Sequence, residues 1–224
     1  MTFRMTIVLA ALFSVALVND AKAQSSVPGI NDGVAAYRAG DIATALPLFE
    51  AGALKGDPKA KRYLAYIILD GEAHHGVQAD LFAGVALLKE AAIAGDYAAL
   101  IRLEDLRVRG LAHSPSLDDM IAVERARAER GDPVAAWRLA SRFETGDGVA
   151  PSEVDEAKWL EVAASAEIAR FPKAGEAAYR LCTLKALGDE THNVDAARHW
   201  CARAAENGHT GAAIVLRRLA QLQG

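Results

Sequence analysis

Aromatic side chains are scarce in this chain: Phe, Trp and Tyr make up 6% of its 224 residues. Strands favour aromatic and β-branched residues, so the scarcity argues against a β-sandwich. There is no surplus of positive charge either. The net charge of -4 argues against nucleic acid, because a phosphate binder needs a basic stripe. Metal-site spacing is also lacking. His74 and His75 are neighbours, and His192 and His199 fall on a turn and a second helix; no Cys/His or His/Glu set has zinc spacing. The histidines are expected at the surface, with no metal and no cofactor. The nucleophile elbow Gly-x-Ser-x-Gly, a phosphate-cradling glycine loop and a zinc-peptidase motif are all missing, which makes a stand-alone enzyme the weaker reading. Beyond residue 18 no apolar run reaches the roughly 20 residues a membrane span needs.

What is abundant is alanine, about a fifth of the chain, within an apolar content of 52%. A core of small side chains suits helices whose backbones approach closely. The first 23 residues have another character. Arg4 precedes an uncharged apolar run from Met5 to Val18, and Ala21-Lys22-Ala23 forms a small-x-small cleavage site. This pattern predicts a secretory signal peptide cut after Ala23, followed by a short linker over 24–30. The alternative is an N-terminal membrane anchor, for which the run is short. The mature chain is expected to be periplasmic or secreted, with no stable membrane insertion.

The remainder is repetitive. Gly56-Asp57-Pro58-Lys59-Ala60 returns as Gly95-Asp96-Tyr97-Ala98-Ala99 and as Gly131-Asp132-Pro133-Val134-Ala135, and more weakly at Gly208. Glu176–Leu181 matches Val134–Leu139, with extra length in 166–173. Each unit reads as two helices. Asp caps the first, Pro suits its first position, and Gly terminates the second. The expected helices are 41–54, 58–70, 79–94, 97–109, 117–130, 133–145, 154–168, 174–187, 194–207 and 210–222, after a short one near 32–39. Such units bury their apolar faces only against neighbours. The expected fold is all-α: one α-solenoid of about five antiparallel helix-turn-helix units over 31–224.

Several positions together carry a family resemblance. Ala135, Leu139, Phe143, Gly146, Gly148, Val149, Asp155, Trp159 and Ala163-Ala164 form one full unit. Ala197-Arg198-His199-Trp200 and Ala204-Ala205 through Gly208 belong to another. The chain resembles the Sel-one-like repeat family, relatives of the tetratricopeptide repeats, over about residues 33–222. It departs from the pattern at 95–130, where Leu111-Ala112-His113-Ser114-Pro115 replaces the glycine turn. It also has Ala65, Glu104, Ala140 and Cys182 where the family has Gly after Leu. The resemblance implies a helical scaffold that binds a protein or peptide partner; exported bacterial members include regulators of membrane sensor kinases and envelope assembly factors. Here that implies a partner in the cell envelope. The competing expectation is an envelope hydrolase, acting on peptidoglycan or a β-lactam, built on the same scaffold.

By the same resemblance the first helices of the units line the concave face. Arg62, Ile101, Trp137 and Tyr179, each two residues before the repeat leucine, then face a partner, as do Tyr66, Asp105, Ser141 and Thr183 two residues after it. Trp137 and Tyr179 would be rigid anchors of the kind that dominate interfaces, or would pack between units. Arg102, Arg138 and Arg180 each precede the repeat leucine. They form either a guanidinium row for carboxylates or a solvated ladder of local salt bridges. Cys182 and Cys201 lie at similar distances from the turn between their helices. They are either bridged, as oxidising conditions permit, or separate buried thiols.

Overall fold

The computed structural model describes residues 29–221, apart from 77, 111 and 112. Among these it contains eleven helices and no strand. They are α1 (Ile30–Arg38), α2 (Ile42–Leu54), α3 (Pro58–His75), α4 (Leu81–Ile93), α5 (Tyr97–Arg109), α6 (Leu117–Glu129), α7 (Pro133–Thr145), α8 (Glu153–Ala164), α9 (Ala174–Leu187), α10 (Val194–Glu206) and α11 (Thr210–Gln221). Consecutive helices pack on one another, α5 and α6 only marginally, and the pairs stack into a solenoid. The expected signal peptide lies outside the described residues. No described helix is long and apolar enough to cross a membrane.

The helix starts follow from short polar side chains. Asp41, Asp80, Asp96 and Asp132 each accept a backbone N–H from the first turn of α2, α4, α5 and α7. Ser152 and Asn193 do the same for α8 and α10. Ser116 and Asp119 complete a capping box on α6. Each cap satisfies donors that the helix leaves unpaired, worth about 1 kcal/mol.

Among the described residues the core forms four buried clusters along the stack, built largely of small side chains. Ala91, Ala92, Ala163, Ala164 and Ala204 are fully buried near the ends of the second helices. Leu88, Leu103, Leu139, Leu160 and Leu181 fill the space between layers. Burying each such leucine contributes about 1.5–3 kcal/mol. Cys182 and Cys201 form a disulfide, with S–S 2.04 Å and Cα atoms 4.9 Å apart, both fully buried between α9 and α10.

Three boundaries differ from the sequence expectation. Helix α1 begins at Ile30, inside the segment read as linker, because Ile30 is buried in the first core cluster. Helix α3 runs five residues past 70, with a break at Gly71 (φ 61°, ψ -152°). That conformation is open to glycine alone, and Gly71 also lies against Ala79, where a Cβ would come within 2.6 Å. Helix α8 stops at Ala164, not 168. The following turns drop Phe171 into the core, 5% exposed, and burial of that ring outweighs one more helical turn.

Candidate functional site

The first helices of the pairs, α3, α5, α7, α9 and α11, stand side by side, and four of them carry the residues singled out for partner contact: Arg62 and Tyr66 on α3, Ile101 and Asp105 on α5, Trp137 and Ser141 on α7, Tyr179 and Thr183 on α9. The contacts between these helices are polar and recur at the repeat spacing. Arg62 on α3 reaches Asp96 at the start of α5, 2.9 Å from Nε to Oδ2. Arg102 on α5 reaches back to Asp70 on α3 (3.4 Å). Arg180 on α9 reaches back to Glu144 (2.8 Å) and Ser141 (3.2 Å) on α7. Arg138 on α7 lies 4.0 Å from Glu104 on α5. The arginine row is therefore a ladder of inter-repeat ion pairs.

Arg62 is committed to the fold. Its guanidinium sits over the rings of Tyr63 (4.5 Å) and Tyr66 (5.6 Å) while it holds Asp96. Burial works against the charge, but the hydrogen bonds and charge of Asp96 outweigh it and raise the Arg62 pKa above its ordinary value. Asp105 is also engaged, by Arg102 (2.9 Å) and Arg109 (3.0 Å). The Thr183 hydroxyl donates to the Arg180 carbonyl, 2.7 Å away. The Ser141 hydroxyl accepts from Arg180.

Trp137 is half-buried. Arg180 (4.9 Å) and Lys173 (5.2 Å) lie over its ring, and Phe171 meets it at 6.4 Å. The 166–173 insertion thus helps to build the wall behind Trp137. Tyr179 stacks on His209 with centroids 3.8 Å apart, and packs against Gly211, where a Cβ would fall 3.0 Å from the tyrosine hydroxyl. Both rings pack between units. Ile101, at the equivalent place on α5, is 54% exposed, and Ile214 on α11 is 49% exposed.

Sequence reasoning missed two features. The first is a buried ion pair: Glu124 on α6, 2% exposed, receives two N–H groups of Arg142 on α7 (2.7 and 3.3 Å). The Glu124 hydrogen bond is the chief cause that raises the Arg142 pKa, against burial. The second is the double duty of Asp132, which caps α7 and receives two N–H groups of Arg127 (2.9 and 2.6 Å). Burial opposes its ionisation, but the Arg127 hydrogen bonds and the backbone N–H groups of Ala135 and Val134 hold its carboxyl below the usual range. The Gly-Asp repeat signalled the cap, and an arginine five residues earlier is the only hint of the pair.

Elsewhere Glu156, 7% exposed, lies 2.5 Å from Arg180. Burial raises its pKa, and Glu144 and Glu153 add to that against the pull of Arg180. No three His, Cys, Asp or Glu side chains among the described residues lie together as a metal site.

A family model described as the Sel1 repeat matches residues 58–96, 133–167 and 175–209. These matches contain α3–α4, α7–α8 and α9–α10, whereas α5 and α6 fall between them. No curated protein matches the chain. Similar solved structures include c5321, a protective antigen of uropathogenic Escherichia coli strains displaying an SLR fold. It is 20% identical with a TM-score of 0.46, over 88% of this chain and 42% of that one. Another is a Sel1 repeat protein from Oxalobacter formigenes, 22% identical with a TM-score of 0.40, over 82% of this chain and 86% of that one. This chain accordingly spans less than half the length of the Escherichia coli protein. With three matched repeats on a ladder of stacked helix pairs, the chain is a Sel1 repeat protein, a helical scaffold of a kind that generally serves protein–protein interaction.

Proposed function

We propose that this protein is an exported, non-catalytic scaffold that binds a protein partner in the cell envelope, within a signalling or assembly system, through the face of its first helices. The observation that carries this reading is the column of Ile101, Trp137, Tyr179 and Ile214, one per stacked unit. Its two aliphatic members are about half exposed, and polar ladders flank it. Exposed aliphatic and aromatic residues held on rigid helices supply contact area at low entropic cost. Export is supported by the apolar leader with its small-x-small site, and by a disulfide that persists in oxidising compartments.

The test is photo-crosslinking in cells that export the protein, with the reactive residue placed at Ile101 or Ile214 and, as a control, at Arg125 on α6. One reproducible adduct from the first two positions and none from the third is expected. Adducts only from Arg125, or none at all, would overturn the reading. In the same cells Trp137→Ala is expected to keep the helical content and weaken the adduct.

A further inference from the structure

Arg180 on α9 is held by acids on two sides. Its Nη2 donates to Glu156 on α8 at 2.5 Å, and the same nitrogen lies 2.8 Å from Glu144 on α7. Its Nη1 donates to the Ser141 hydroxyl at 3.2 Å. The two acids differ in setting. The Glu156 side chain is 9% exposed and the Glu144 side chain 52%. One tether of Arg180 therefore ends in the interior and the other at the surface. Between them the guanidinium covers the Trp137 ring, 4.9 Å from its centroid.

Negative charge is in excess around this arginine. Glu144 and Glu156 share it, and Glu153, one turn before Glu156 on α8, acts on Glu156 with the same sign as Glu144. Two carboxylates on one guanidinium compete for it. The buried one is the less costly to neutralise, because an ionised carboxylate in the interior needs its full complement of partners and a neutral acid does not. Burial raises the Glu156 pKa, and Glu144 and Glu153 add to that against Arg180. Once neutral, Glu156 no longer offers a charge-assisted acceptor. The surface tether to Glu144 then remains and draws Arg180 outward across the indole.

We propose that Glu156 and Arg180 form a proton-operated latch on Trp137: in acid medium a Glu156 carboxylate oxygen takes one proton from water, the inner side of Arg180 is released, and the guanidinium shifts toward Glu144 and changes the cover of the indole. The device lies within the fold and needs no partner. It stands apart from the reading of the first-helix face as a binding face.

The test follows the indole N–H signal of Trp137, identified by Trp137→Phe, in NMR spectra of the folded protein from about pH 8 to about pH 4, with helical content read in parallel. The ring contacts of Trp137 with Phe171, Lys173 and Arg180 bring no group that titrates in that range. The signal is expected to titrate as one group, with a midpoint above the ordinary glutamate range and with helical content unchanged. Glu156→Gln should abolish the titration and hold the signal at its acid position at every pH. Glu144→Gln should keep the titration and move its midpoint to lower pH, because it removes a charge that hinders ionisation of Glu156.

A Trp137 signal that stays still in the folded protein would overturn the latch. So would a titration that survives Glu156→Gln, a midpoint that Glu144→Gln leaves in place or raises, or a shift that only accompanies loss of helix. Should Glu156→Gln fail to fold, the titration of the unaltered chain and its displacement by Glu144→Gln decide between these outcomes.

Discussion

The pairs α5–α6 and α9–α10 occupy equivalent places in the stack and are held by different means. Helices α9 and α10 pack along their length around a buried disulfide, and the arginine of their last turn, Arg203, donates to the Ala164 carbonyl of the preceding pair (2.7 Å). Helices α5 and α6 barely touch each other. Helix α6 is tied instead to its other neighbours: to α4 through Lys89–Asp119 and Arg127 to the Ala92 carbonyl, and to α7 through Glu124–Arg142 and Arg127–Asp132. Met120 and Val123 of α6 still fill the core with Leu103 of α5. A repeat can therefore lose its internal hairpin packing and stay in register, provided charged pairs fasten its second helix to the flanking units. This is where the glycine turn of the repeat gives way to His113, in a left-handed conformation, and Pro115.

The largest effect should come from cutting the main fastening of α6. Glu124→Ala leaves Arg142 without its principal partner at a nearly dry site, and should cost about 3–4 kcal/mol. Hydrogen exchange would show lost protection in α6 and α7 while α9 and α10 keep theirs. Equal loss in both pairs would mean that the solenoid unfolds as one unit and the contrast is only geometric.

Next comes the staple. Cys182→Ala with Cys201→Ala releases a loop closed over a separation of 19 residues, which should cost about 3 kcal/mol by chain entropy. The loss should be confined to α9–α11, read by exchange or by melting with and without reductant. Unchanged melting of the double variant would mean that α9 and α10 are held by packing alone.

The smallest effect is a pH dependence at the α6–α7 junction. Asp132 has a depressed pKa when folded, so its stabilisation is present above the ordinary carboxylate range and is lost as pH falls through the folded value. Glu156, whose folded pKa is raised, contributes in the opposite sense: its share is present at acid pH and is lost as pH rises through the folded value. Asp132→Asn should therefore cost about 1 kcal/mol at neutral pH, where the charged hydrogen bonds to Arg127 are intact, and less near pH 3. A cost that does not shrink on acidification would place the effect in the cap and not in the ion pair.

Much of this architecture was legible residue by residue. The Gly-Asp steps announced the starts of α3, α5 and α7, because a cap is a local interaction between a side chain and the backbone within three residues. The alanine pairs announced the ends of second helices, because only small residues let backbones meet there. The bounds of α3 and α8 were not legible: Gly71 is set by its close approach to Ala79 beyond the helix end, and Phe171 by its contact with Trp137 on another helix. The cysteine positions allowed two outcomes, and the docking of α9 on α10 selected the bridge.

Of the candidate interface, the sequence determined the column. Equivalent positions in stacked repeats must align, so Ile101, Trp137, Tyr179 and Ile214, and the arginines beside them, fall on one face. Tertiary structure alone decided how each of them is paired and how far it is exposed. Arg102 and Arg180 hold the same repeat position as Arg138, and Arg62 the one before it. Arg62, Arg102 and Arg180 each find a close carboxylate one repeat away, 24 to 34 residues along the chain. Arg138 meets its carboxylates, on Glu124 and Glu104, only at 3.8 and 4.0 Å, because Arg142 and Arg107 hold those acids more closely. Charge pairing depends on distances of a few ångströms between helices, and repeat spacing does not encode them.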